Sequence, residues 1–254
     1  MLLAHELVGQ SDAPALILIH GITESRQTWH PLVHPLAKRH MVLAVDLRGH
    51  GDSEDDSPYD PMSYASDVVE TAQALGVHDA VVVGHSLGGV VASAFAAMAP
   101  CRAVVNVDQP LRLSGFKDAL GQLEPLLKGS KKEFHQAIEL LFGAMNGPLP
   151  AAEQARIDEH RRAEQHVVLG TWASVFDSTA AELDATVEAL AVGITVPYLS
   201  LHGIDPGPGY ADWLQRLVPS AVVELWDGLG HYPHLVEPDR FLARLAEFEA
   251  QVRG

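Results

Sequence analysis

The stretch Ala80-Val81-Val82-Val83-Gly84-His85-Ser86-Leu87-Gly88-Gly89-Val90-Val91-Ala92 is the part of the chain from which the rest can be read. Its first four residues are apolar and mostly β-branched, the pattern of a buried strand; Leu87 to Met98 is alanine-rich with apolar residues at helical spacing. Between them stands Gly84-His85-Ser86-Leu87-Gly88. As a bare pentapeptide G-x-S-x-G says little. Between a strand and a helix it forces the serine onto a sharp, strained corner with its hydroxyl exposed. Side chains at Gly84 and Gly88 would collide with the neighbouring strand and helix in so tight a turn. The unpaired N–H groups and dipole of the helix N-terminus favour negative charge developing beside Ser86.

A free serine hydroxyl is a poor nucleophile at neutral pH, so this corner demands a base within reach and a group to hold the base. Downstream, in the chain order serine, acid, histidine, stand Asp205 in His202-Gly203-Ile204-Asp205-Pro206 and His231 in Gly228-Leu229-Gly230-His231-Tyr232. Each follows an apolar run that reads as a strand, Val196 to Leu201 and Ala221 to Trp226, which puts both on loops at the same sheet edge as Ser86. Asp108, directly after the run Ala103 to Val107, is an alternative acid. Serine attack creates an oxyanion, and backbone N–H groups meet it. Leu87, the residue after the nucleophile, supplies one; Ile22, in the His20-Gly21-Ile22-Thr23 loop after the strand Ala15 to Ile19, supplies the other.

Further apolar runs at Ala15 to His20 and Met41 to Val45, and helical patterns at Tyr64 to Leu75 and Pro238 to Val252, complete an alternation of strands and helices. Such alternation implies an α/β fold with a mainly parallel sheet, covered by helices on both faces, whose functional loops gather at the carboxyl ends of the strands. Residues 111 to 192 break the pattern. They are helix-forming, charged and without convincing strands, with amphipathic segments at Lys131 to Met145 and Ala151 to Val168. They are expected to form a helical cap over the strand ends, inserted into a core made of 1–110 and 193–254; packing on the side of the sheet is the alternative.

With these residues in view the chain resembles the α/β-hydrolase superfamily, specifically its small capped esterase-like members. The resemblance rests on Val83-Gly84-His85-Ser86-Leu87-Gly88-Gly89, on Asp46-Leu47-Arg48-Gly49-His50-Gly51-Asp52-Ser53, on the His20-Gly21 loop and on the closing Gly230-His231. It implies an eight-stranded sheet, a helical cap, no cofactor, and Ser86, Asp205 and His231 as the triad. In this chain the segment after His202-Gly203 is short, so Asp205 arrives one position earlier than in many relatives.

The expected chemistry is cleavage of a carboxylic ester, thioester or lactone through an acyl-enzyme on Ser86. Carbon–carbon bond hydrolysis, perhydrolysis and lyase chemistry run on similar triads, and a small-ligand receptor is a rival from another class. Trp29, Trp172 and His85, the variable position of the corner, are the candidate substrate-binding residues, with plain packing as the alternative for the tryptophans. Asp46 reads as structural, and His234 as a pocket or surface residue rather than a second base. The spacings His202 with Asp205 and His231 with His234 would suit a metal, but nothing else supports one, and no metal is expected.

Across its 254 residues the composition, 47% hydrophobic and 20% charged, is that of a globular protein. Seventeen Lys and Arg against 33 Asp and Glu leave a formal charge of −16, which argues against a nucleic-acid partner. No window approaches the roughly 18 apolar residues of a membrane span. The N-terminus lacks a secretion signal, so a cytoplasmic protein without a membrane partner is expected, acting on a small ester-like molecule. The single cysteine, Cys101, reads as a buried structural thiol.

Overall fold

A computed structural model describes residues 1–252. Seven strands, β1 His5–Val8, β2 Ala15–Ile19, β3 Met41–Val45, β4 Val81–His85, β5 Ala103–Val107, β6 Tyr198–His202 and β7 Ala221–Leu225, form one sheet in the order β1-β3-β2-β4-β5-β6-β7. All neighbours are parallel except β1, which pairs antiparallel with β3. The eighth strand expected from the resemblance is absent among the described residues. β1 and β7 are the edges; ahead of β1, Leu3 N–H donates to Thr71 Oγ1, Ala4 N–H to Ser53 Oγ, and Ala4 O accepts from Asp46 N–H.

The strands are apolar on both faces because both are covered. Ile17, Ile19, Leu43, Val45, Val82 and Val104 join the core under helices α2 (Pro61–Ala74) and α3 (Leu87–Met98). The alternate residues Leu16, Leu18, Val42, Ala44, Val81, Val83 and Val105 meet α1 (His30–Ala37) and, further on, α12 (Pro238–Val252). This two-sided burial is why the runs read as continuously apolar rather than alternating.

Between β5 and β6 come six helices: α4 Ser114–Leu127, α5 Lys131–Gly143, α6 Ala151–His160, α7 Gln165–Thr171, α8 Ala173–Asp177 and α9 Ala180–Ala191. Local chemistry sets two of their starts. Ser130 with Glu133 and Thr179 with Glu182 form capping boxes at α5 and α9. The single amphipathic segment expected over Ala151 to Val168 is two helices, because Arg161 turns extended and Arg162 N–H donates to Thr23 O across the fold. After β6 come α10 (Tyr210–Leu217) and, after β7, α11 (Pro233–Val236). No helix among the described residues is long and apolar enough to cross a membrane.

Candidate active site

Parallel register places the strand ends side by side: Ile19 pairs with Gly84, His85 with Val107, and Val107 with Leu201. Ser86 and Asp108, the residues just past β4 and β5, therefore lie on one rim, where Ser86 N–H donates to Val107 O and Asp108 N–H to Leu201 O. Ser86 has φ +53° and ψ −125°, a conformation that an L residue adopts only at a cost, and it opens α3. The corner closes only on glycines. A Cβ on Gly84 would stand 1.9 Å from Gly88 O, and one on Gly88 2.2 Å from Ile19 O.

His231 Nδ1–H donates to Asp108 Oδ2 at 2.7 Å, with both side chains buried. Asp108 Oδ1 accepts from Gly203 N–H at 2.8 Å and Ile204 N–H at 3.0 Å. Burial pushes this carboxyl up, but the His231 contact and the two N–H groups outweigh it and hold it below the usual carboxylate value. His231 N–H donates to Met145 O, so the segment after α5 steadies the histidine loop. The other ring nitrogen, Nε2, is buried and has no hydrogen-bond partner among the described residues.

Ser86 and His231 border a cavity of about 540 Å³. Ile22 and Leu87 border it too, and helices α4, α5, α7 and α8 contribute Phe116, Leu141, Thr171 and Val175 to its mostly apolar wall. Arg112 is the one Lys or Arg on that wall among the described residues, its guanidinium carbon 5.0 Å from the Trp213 ring centroid.

A model of the alpha/beta hydrolase family matches residues 16–244. The chain belongs to the alpha/beta hydrolase family. The chain is 29% identical over 254 residues to the 2-(acetamidomethylene)succinate hydrolase of Mesorhizobium japonicum, covering 94% of this chain and 89% of that one. A 90-residue stretch is 41% identical to an uncharacterized protein of Mycobacterium tuberculosis, but spans only 35% of this chain and 26% of the relative's length. The enol-lactonase of Burkholderia xenovorans LB400 superposes with a TM-score of 0.78 over 98% of this chain and 96% of its own, at 19% identity, a likeness of fold alone.

Several sequence expectations are corrected by the geometry of the site. Asp205 does not hold His231; Asp108 does. Asp205 lies three residues beyond β6, is exposed, and its Oδ1 accepts from Gly207 N–H, as an Asp-Pro-Gly turn favours. Asp108 occupies the place opposite His231 and also binds the N–H groups of the turn leading to Asp205. Trp29 and His85 do not border the cavity. Both are fully buried: Trp29 packs at 4.8 Å between ring centroids on His234, and His85 Nε2–H donates to His231 O. His234 is neither pocket nor surface; it lies between Trp29, His85 and Phe241. Trp172 does border the cavity. Asp46 is structural, accepting from the N–H groups of Arg26 and Asp52. Burial pushes the Cys101 thiol up to about 12. Among the described residues no three His, Cys, Asp or Glu side chains are grouped as metal ligands.

One buried residue that the sequence reading passed over is Glu24. Its carboxylate accepts from Gly21 N–H and Tyr232 O–H and faces His85 Nδ1. Burial pushes Glu24 up, yet His85, Arg161 and Tyr232 hold it well below the usual range. The available signal was a lone acid three residues past Gly21, close behind a wholly apolar strand.

Proposed function

We propose that this alpha/beta hydrolase is a serine hydrolase that cleaves a carboxylic ester, thioester or lactone through an acyl-enzyme on Ser86. The observation that carries the reading is the 2.7 Å bond from His231 Nδ1–H to Asp108, which leaves Nε2 without a partner on the cavity that Ser86 also borders. In this reading His231 Nε2 takes the Ser86 proton as the hydroxyl attacks the carbonyl, and Asp108 orients the ring and stabilises the imidazolium. The N–H groups of Ile22 and Leu87 receive the oxyanion. His231 then protonates the leaving group and afterwards activates the water that releases the acid.

The helical segment 111–192 acts as a cap over the core of 1–110 and 193–254, and it makes the apolar wall that would hold the acyl portion. Arg112 and Trp172 on that wall are the substrate-facing side chains we favour. A guanidinium on a mostly apolar wall that also carries Gln109, Ser114 and Asp205 suits a substrate bearing a carboxylate at a distance from the scissile bond. The Mesorhizobium relative, a hydrolase of a substituted succinate by its name, is consistent with this.

The test is labelling with a fluorophosphonate followed by mass spectrometry, alongside a p-nitrophenyl ester series on wild type and Ser86→Ala. An adduct on Ser86 and hydrolysis lost in the variant are expected. An unlabelled, inactive wild type would refute the reading and favour a ligand-binding protein.

A further inference from the structure

We propose that Glu24 is a positioning residue that ties together the three loops of the serine hydrolase site, an inference resting on the assignment of Ser86, His231 and the Ile22 N–H made above. Glu24 is 3% exposed and does not border the cavity, so it is not available to substrate. What it does touch is distributed in a particular way. Oε2 accepts from Gly21 N–H at 3.1 Å, in the loop that carries Ile22. The same oxygen lies 3.4 Å from Nδ1 of His85, the residue before Ser86. Oε1 accepts from the Tyr232 O–H at 2.7 Å, one residue after His231. His85 passes the connection on, since its Nε2–H donates to the backbone carbonyl of His231 at 2.8 Å. One carboxylate thus reaches the oxyanion loop, the nucleophile corner and the histidine loop.

The oxyanion loop needs such a hold. Thr23 sits at φ +64°, a left-handed conformation unfavourable for a branched side chain. Glu24 N–H donates back to Gly21 O at 3.2 Å while its own carboxylate binds Gly21 N–H, so the turn is closed from both ends and the Ile22 peptide is fixed between them. The turn runs close to the nucleophile: a Cβ on Gly21 would stand 3.1 Å from Ser86 Cβ. The helical segment closes the outside. Arg161 donates to Thr23 Oγ1 at 2.7 Å and to the Tyr232 hydroxyl at 3.3 Å, and Arg162 N–H donates to Thr23 O at 2.9 Å. An apolar side chain in place of Glu24 would leave two buried donors, Gly21 N–H and the Tyr232 O–H, without an acceptor, although the Tyr232 oxygen would still accept from Arg161, and that costs more than the lost bonds alone. Oxyanion donors act through fixed geometry, so loosening this turn should weaken transition-state stabilisation with little effect on ground-state binding.

The experiment compares wild type, Glu24→Ala and Glu24→Gln on p-nitrophenyl butyrate. Thermal midpoints are recorded, and amide hydrogen exchange is followed in the peptide spanning 20–28. Glu24→Ala should lower kcat by roughly 10- to 100-fold with KM within about twofold, and should speed exchange in that peptide. Glu24→Gln keeps an acceptor for Gly21 N–H and should recover kcat to within about fivefold of wild type. Should Glu24→Ala not fold, Tyr232→Phe, which removes one donor and leaves the carboxylate in place, should lower kcat roughly 3- to 10-fold. Wild-type kcat in these variants, a loss confined to KM, or a glutamine variant as impaired as the alanine variant would overturn the proposal. If wild type neither turns over nor takes the fluorophosphonate label, it is the hydrolase reading that fails; the clamp then stands or falls on whether exchange in 20–28 accelerates without Glu24.

Discussion

Asp108 and Asp205 both follow a parallel strand, and the sequence favours Asp205 as the partner of His231, with Asp108 as the alternative. What separates them is where each strand stops. Asp108 is the first residue after β5, at φ +52°, adjacent to the strand that delivers Ser86; Asp205 comes after a further turn and is spent on Gly207 N–H in solvent. Asp108→Asn is therefore expected to reduce kcat by about 10³- to 10⁴-fold, because an amide cannot hold the imidazole in the required tautomer or stabilise its charged form. Asp205→Asn should stay within about threefold of wild type. Steady-state kinetics of the two variants decide it, and the reverse ranking would restore Asp205 as the acid. Arg112 makes a separate prediction. If it meets a substrate carboxylate, wild type should prefer a p-nitrophenyl hemiester of a dicarboxylic acid over the neutral ester of equal length, and Arg112→Gln should abolish that preference by about tenfold while sparing the neutral ester. Equal losses on both esters would count against it.

The strand–corner–helix unit of β4 and α3 is where local sequence and packing agree most closely. Val81, Val82 and Val83 are buried on both faces of the sheet, α3 packs against its neighbours through Val91, Ala92 and Phe95, and the two glycines let the helix start almost in contact with β2 and β4. Gly88→Ala places a methyl group 2.2 Å from a backbone carbonyl that cannot move without shifting β2. A loss of about 3 kcal/mol of stability is expected in urea unfolding, larger than an ordinary surface substitution gives. A neutral result would mean that the corner is looser than its contacts imply. The six helices between β5 and β6 behave differently. Two of them, α5 and α9, start at local capping boxes, but the attachment of the segment to the rest of the chain depends on distant partners such as Met145 O with His231 N–H and Arg162 N–H with Thr23 O.

Burial of neutral imidazoles gives the molecule as a whole a pH response. Burial, with His20 nearby, pushes His50 down to about 3, and burial pushes His202 down to about 4. In the unfolded chain such rings take up a proton near pH 6.5. Between that value and the folded ones the unfolded state holds more protons, so stability falls as pH is lowered through the window from about 6.5 to 4. Asp108 and Glu24, whose carboxyls are held low, contribute stability that is lost only below about pH 4 and so do not oppose the trend. The thermal midpoint should drop steadily from pH 7 to 4.5, with a shallower slope for His50→Gln. A flat profile over that range would contradict the burial argument.

Much of the architecture follows from the order of apolar runs. Strand and helix positions, the parallel sheet, the serine corner and the histidine loop were legible because each is set by residues close together in the chain: β-branched runs, glycines at a tight turn, apolar spacing along a helix. The antiparallel edge strand His5–Val8 was not legible, being short and half-buried, and among the described residues the sheet has seven strands. Nor could the sequence choose between Asp108 and Asp205, place His85 and Trp29 behind the cavity rather than on it, or bring Glu24 to three loops at once. Those outcomes depend on side chains 61 to 208 positions apart meeting across strand ends. Local pattern carries no record of such distances; they arise only when sheet register and twist bring the carboxyl ends together.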